Sequence, residues 1–306
     1  MAQRGWKPLE PGDIVDVVAP ASACRPAELK RAVKYLKELG FVPRVPGDLF
    51  RKRFVFSNSD KYRYEHLRKC LLDARSKAIW CIRGGYGSVR LLPELQKIKR
   101  PAHTKLFIGL SDITSVHNFL NQEWNWPTIH GPVLARMGSE APSKRERLEL
   151  EKLIRGQIAE VEFRLKPMNA AARKRTRIKS RVVGGNLETI SAAQGTDWQV
   201  DTRGKILFIE EVNERGYRVD RRLVNLKLTG QLEGAKALVF GDFIGGAEPE
   251  SGRKMWKDAI QDLAQTLKIP VYSGIHSGHG PLQRPVPFNT KAILSAGRLI
   301  CETGKA

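Results

Sequence analysis

Residues 105–120 read KLFIGLSDITSVHNFL, an apolar run that passes into a helical pattern with no connecting segment. Lys105 to Leu110 reads as a strand, and Ile113, Val116, His117 and Leu120 then recur at the spacing of one helix face. Ser111 and Asp112 therefore sit at a strand-to-helix junction. Upstream the same alternation repeats. The run Ile14 to Ala19 precedes a helix carrying Leu29, Val33 and Leu36 and closed by Gly40. An extended stretch at Phe41 to Val45 leads to a helix around Tyr64, Leu67 and Leu71, then to a β-rich run, Ala78 to Ile82. Ser143 with Glu146 forms a capping box that opens one more helix, with Gly156 as its stop. Strands alternating with helices predict an α/β fold built on a parallel sheet, here an amino-terminal domain over residues 1–164.

Between residues 165 and 181 the apolar periodicity is lost, and six of the nine residues from Arg173 to Arg181 are Lys or Arg. This stretch reads as a basic linker, either a polyanion-binding segment or a solvated connection. Beyond it, Ile206 to Ile209, Ala237 to Phe240 and Ala292 to Leu294 are separated by glycine-rich turns. They predict a smaller, β-rich second domain over 182–306. No period of twenty to fifty residues recurs, which excludes a solenoid or propeller.

A chain of 306 residues suits two domains, and 41% hydrophobic with 28% charged residues is the balance of a folded protein. Fifty-three Lys and Arg against 32 Asp and Glu leave a net charge of +21, which favours a negatively charged partner or substrate. No zinc spacing or aromatic RNA motif accompanies it, so nucleic acid is not the expected partner. Cys24, Cys70, Cys81 and Cys301 are scattered, without a CxxC pair, and are expected as free thiols. Ile14 to Ala19, interrupted by Asp16, is far shorter than a membrane span. With no export signal visible, a cytoplasmic location is expected, or an exported one if a leader has been removed.

Ser111, in Gly109-Leu110-Ser111-Asp112, resembles the sharp elbow that exposes a nucleophile in hydrolases, although the second glycine of G-x-S-x-G is absent. Taken alone, Ser111 or Asp112 at such a junction is more often a helix cap than a catalytic residue. A serine hydroxyl needs a base and an orienting carboxylate. Among six histidines, His279 in Ser277-Gly278-His279-Gly280 and His130 in Ile129-His130-Gly131-Pro132 lie in glycine-bearing loops. His66 and His117 fall in helical patterns, His103 in a charged loop, and His276 beside His279. Glu210 and Glu211 end an apolar run and face opposite ways, so one of them can orient a histidine while the other is expected to meet solvent or an arginine. The glycine turn Arg83-Gly84-Gly85-Tyr86-Gly87 could offer backbone donors to an anion but fits neither G-x-G-x-x-G nor a P-loop.

Together with Pro11-Gly12-Asp13, Ala19-Pro20-Ala21-Ser22, Gly184-Gly185-Asn186-Leu187 and Tyr217-Arg218-Val219-Asp220-Arg221, these segments resemble the murein LD-carboxypeptidase family, to which the microcin-immunity peptidases also belong. The resemblance runs through nearly the whole chain. It implies an α/β domain, a second domain built around a small β-barrel, an active site between them, and a homodimer. It assigns the nucleophile to Ser111, the acid to Glu210 and the base to His279. The backbone N–H groups of Asp112 and Gly85 would form the oxyanion hole, and no metal or organic cofactor is implied. The implied substrate is a peptidoglycan tetrapeptide ending in D-alanine, whose carboxylate makes Arg83 a candidate binding residue. The alternatives are a sister peptidase acting on a peptide-nucleotide antibiotic, a non-catalytic polyanion-binding protein and, from a third class, a metallohydrolase. Two positions depart from the family pattern: Leu110, where an aromatic residue is usual, and Val286-Pro287-Phe288-Asn289, where Leu-Pro-x-Gly is common. Asn289 is expected to take over the left-handed backbone of that glycine.

Overall fold

Apolar, β-branched runs form the centre of a six-stranded sheet in the computed structural model, which describes residues 5–49, 51, 54–174 and 177–305. The chain lays down β1 (Ile14–Val18), β2 (Val42–Arg44), β3 (Ala78–Cys81), β4 (Leu106–Gly109) and β5 (Thr128–His130), all parallel, in the spatial order β5-β4-β3-β1-β2. Helices connect them. The helix Pro26–Glu38 begins with proline, and Glu28 reaches back to the Arg25 N–H at 2.7 Å; Gly40, at φ +82°, turns the chain out of it. Ser143 accepts from the Glu146 N–H to start the helix Lys144–Ile154, and Gly156, at φ +65°, follows it.

A second sheet starts earlier than the sequence pattern suggests. Its strands are β6 (Glu160–Arg164), β7 (Lys166–Pro167), β8 (Arg177–Asn186), β9 (Ile206–Val212), β10 (Ala237–Ile244) and β11 (Val271–Ser273). The chain then places β12 (Val286–Phe288) antiparallel to β5, back in the first sheet, before β13 (Lys291–Ser295) and β14 (Arg298–Glu302) rejoin the second. The second sheet has the order β6-β14-β13-β8-β9-β10-β11-β7, with β8 to β11 parallel. Its two edge strands, β6 and β7, are separated in the chain by Leu165 alone, so the sheet curls until it is nearly closed.

The expected linker 165–181 is not a linker. Lys166 and Pro167 pair with β11, and Arg177 to Arg181 pair residue by residue with β13; residues 175 and 176 lie outside the described residues. Arg177 and Lys179 are exposed while Ile178 and Ser180 are partly covered, so the basic run is the wet face of a strand. The expected boundaries shift accordingly, with Glu160–Arg164 in the second sheet and Val286–Phe288 in the first. The second half also carries helices that the sequence pattern left out, Leu187–Ala192, Gly216–Leu228 and Trp256–Thr266. One apolar core joins Trp80, Ile108 and Ile129 of the first sheet to Val182, Phe208 and Val239 of the second. All four cysteines are buried free thiols. No helix among the described residues is long and apolar enough to cross a membrane.

Candidate active site

The junction at residue 111 is a tight one. Ser111 has φ +68°, a left-handed backbone that a non-glycine residue occupies at a cost of ~1–3 kcal/mol and that recurs at functional sites. The turn Ser111–Ile113 leads directly into the helix Thr114–Gln122. Gly109 permits this, since a Cβ there would lie 2.5 Å from the Ile113 side chain. The Arg83–Gly87 turn packs against the serine: a Cβ on Gly84 would come within 2.8 Å of the Leu110 carbonyl and 2.9 Å of the Ser111 Cβ. Asp112 fastens that turn. Its carboxylate accepts from the N–H groups of Gly87 (3.2 Å) and Ser88 (2.8 Å), and the Ser88 hydroxyl donates to its carbonyl.

Two further residues brace the turn and were not legible in advance as parts of the site. Ser22 donates its N–H to the Gly84 carbonyl and its hydroxyl to the Val55 carbonyl, and Gly85, at φ +103°, has no room for a Cβ beside it. Arg63, on a helix and 2% exposed, donates to the carbonyls of Pro20 and Gly87. Its position in a charged helical stretch gives no sign of this. Ser22 lies within a segment that carried the family resemblance, but its partners are set only by folding.

From the second sheet, β9 delivers Glu210, fully buried, with its Oε2 2.7 Å from His279 Nδ1. Gly278, at φ +122°, makes this approach possible, because a Cβ would lie 2.7 Å from Glu210 Oε2. The loop holding His279 is tied to the first half by Arg136, which donates to the Pro281 carbonyl and pairs with Glu146, and by Arg284 on Glu149. Burial works against a charge on the imidazole, but the hydrogen bond to Glu210 and the charges of Glu210, Glu211 and Asp242 prevail and raise its pKa.

Glu211 does not meet solvent or an arginine, as expected of the second carboxylate. It is 3% exposed and accepts from Asn186 Nδ2 (2.9 Å) and from the N–H groups of Val212 and Glu188, at the start of the helix Leu187–Ala192. Its burial outweighs those bonds and lifts its pKa to about 7. The Gly184-Gly185-Asn186 segment also joins the halves, as the Asn186 N–H donates to Thr114 Oγ1 at 2.9 Å and Gly185 leaves space for that threonine.

Ser111, Gly84, Gly85, Arg83 and His279 line one cavity of about 580 Å³ between the sheets, with Arg31 also on its wall. Arg83 is half exposed and 3.9 Å from Glu28. His130, expected in a glycine-bearing loop, instead ends β5; it is fully buried behind Glu210 and is not on the cavity wall. His117 is buried against Thr128 and the Gly109 carbonyl; His66 lies near Cys70, His103 near the Leu71 carbonyl, and His276 near Asp242. Leu110 is buried, and Asn289 takes φ +57°, the left-handed conformation expected of it.

Comparison with known proteins agrees with this architecture. The LD-carboxypeptidase N-terminal domain matches residues 15–131 and the LD-carboxypeptidase C-terminal domain residues 179–294. A protein of Rickettsia conorii named as a carboxypeptidase is 35% identical over 91% of this chain and 86% of its own. The murein tetrapeptide carboxypeptidase of Pseudomonas aeruginosa is 28% identical over 97% of both chains. The crystal structure of muramoyltetrapeptide carboxypeptidase from Oxalobacter formigenes superposes with a TM-score of 0.82 at 25% identity, over 96% of this chain and all of that one. The class is therefore settled as an enzyme, a serine-type carboxypeptidase. Within that class the chain belongs to the LD-carboxypeptidase family.

Proposed function

We propose that this protein hydrolyses the L,D-peptide bond before the terminal D-alanine of murein tetrapeptides, through an acyl-enzyme on Ser111. The observation that carries the reading is a serine on a left-handed strand-to-helix turn, sharing a cavity with an imidazole whose Nδ1 is held by a buried glutamate. With Nδ1 engaged, Nε2 of His279 is the atom free to take the Ser111 proton. The serine oxygen attacks the carbonyl of the L-configured centre, and the N–H groups of Asp112 and Gly85 receive the developing oxyanion. His279 then protonates the leaving amine, D-alanine departs, and water repeats the sequence to release the tripeptide. Glu210 holds the imidazole in its tautomer and stabilises the imidazolium. Arg83, with Arg31 on the same wall, gives the substrate's carboxylates cationic partners. Peptidoglycan fragments are the proposed partner, and a homodimer is the proposed assembly, open to test by sedimentation equilibrium.

Similarity to the microcin C7 self-immunity protein of Escherichia coli, 24% identical over 94% of this chain, supports a second reading, cleavage of an aminoacyl-nucleotide antibiotic. Mass spectrometry after incubation with a disaccharide-tetrapeptide, and separately with aspartyl sulfamoyl adenosine, separates the two. Tripeptide and free D-alanine are expected from the first substrate, and Ser111→Ala is expected to lower that turnover by ~10⁴-fold or more. An intact tetrapeptide, or equal turnover by the variant, overturns the proposal.

A further inference from the structure

We propose that His130 is a positioning residue of this site, its Nε2–H donating to Glu210 and fixing the carboxylate that holds His279. The inference rests on the triad reading above. It starts from two buried atoms without partners. Glu210 spends one oxygen on His279, while Oε1 is buried and unpaired among the described residues. His130 Nε2 is buried and unpaired as well, and the two atoms face each other at 3.9 Å. Leaving both unmet is costly, because a buried carboxylate oxygen without a donor forfeits its hydration for nothing. Each is the other's complement, and closure by about 1 Å would bring them to hydrogen-bond length. Catalytic hydrogen bonds are often long in an empty site and tighten when it is loaded.

The surroundings aim the ring. His130 ends β5, stacked on Phe288 with centroids 5.2 Å apart and edge-on to Phe208 at the same distance. Its Nδ1 is 3.5 Å from the Ser277 hydroxyl, two residues before His279 in the same loop. In the proposed arrangement that hydroxyl donates to Nδ1, which leaves the proton on Nε2, the nitrogen directed at Glu210. Burial, with His117 and His279 nearby, keeps His130 neutral, as a donor needs to be if it is not to add a second charge behind the carboxylate. The ring is excluded from the cavity and cannot serve Ser111 directly. Its effect passes through Glu210 at one nitrogen and the His279 loop at the other.

Two measurements test this on the whole protein. In the first, with no substrate, imidazole ¹⁵N NMR is expected to show His130 as the neutral Nε2–H tautomer from pH 5 to 9, with that proton resonance moving in Glu210→Gln. The second follows cleavage of disaccharide-tetrapeptide. His130→Phe keeps an aromatic ring but no donor, and is expected to lower kcat/KM about ten- to a hundredfold, mainly through kcat. His130→Gln, which returns a donor near Nε2, is expected to recover most of the loss. The groups facing His279 are Glu210, Glu211 and Asp242. Without its donor from His130, Glu210 becomes the stronger acceptor, so the acidic limb of the pH profile is expected to move up in His130→Phe. A His130 protonated only on Nδ1, an unmoved resonance in Glu210→Gln, or equal losses in the Phe and Gln variants with an unmoved acidic limb overturns the proposal. Absence of tetrapeptide cleavage by the unaltered protein counts against the function reading instead, and the NMR result then decides on His130 alone.

Discussion

At the scale of single residues, the imidazole of His279, in its proposed role as general base, governs how the enzyme responds to acid. A general base works only while neutral, and His279 is held above the ordinary histidine value of 6.5. kcat/KM is therefore expected to fall as pH drops through that raised value, with its acidic limb above pH 6.5 in a pH–rate profile. Asp242→Asn removes one of the negative charges that raise it, and should move the limb down. The stability effect has the opposite sign. A folded state that favours the protonated ring gains that contribution in full below pH 6.5 and loses it as pH climbs through the raised value. Ser111, His279 and Glu210 could be singled out in the sequence as candidates because a serine at a strand-to-helix junction, a histidine between glycines and a carboxylate at a strand end each carry a local signature. Arg63, Asp242 and the contact of His130 with Glu210 could not. Their significance lies in partners far away in the chain, which no spacing rule encodes.

At the scale of elements, glycines decide whether the strands can deliver their side chains. Gly278→Ala would set a Cβ against Glu210 and strain a backbone at φ +122°. A displacement of this kind at the proposed catalytic pair is expected to cost ~100-fold in kcat. Gly195→Ala is the control, since that glycine, at φ +79°, has nothing within 4 Å of the added carbon. It is expected to lose only ~1 kcal/mol of stability, read from thermal melts, with kcat unchanged. Strands β1 to β4 of the first sheet were legible because helical patterns and the punctuating Gly40 separate them, whereas β5 read as a glycine-bearing loop. The second half was read as strands alone. Yet Val219, Leu223 and Leu226 recur at helical spacing and are buried in the helix Gly216–Leu228. Four arginines within residues 215–222 masked that stripe, and the charge of residues 173–181 likewise disguised the start of β8.

At the scale of the whole molecule, the two halves are interlocked. β12 crosses back to complete the first sheet, and residues of both sheets share one core. Calorimetry is accordingly expected to show a single unfolding transition with equal calorimetric and van't Hoff enthalpies; two separable transitions would show the halves to be independent. Composition and local pattern could not announce this crossing, because Val286-Pro287-Phe288 looks like any short extended segment until β5 is there to receive it. The return of β12 also bears on biosynthesis. A ribosome emits the half that carries Ser111 first, so β5 waits with one edge uncovered until residues 286–288 emerge. The imidazole at position 279 leaves the tunnel just ahead of them. On the proposed mechanism, a nascent chain thus holds a serine it cannot yet use, and the hydrolase acquires its competence only when translation is nearly done.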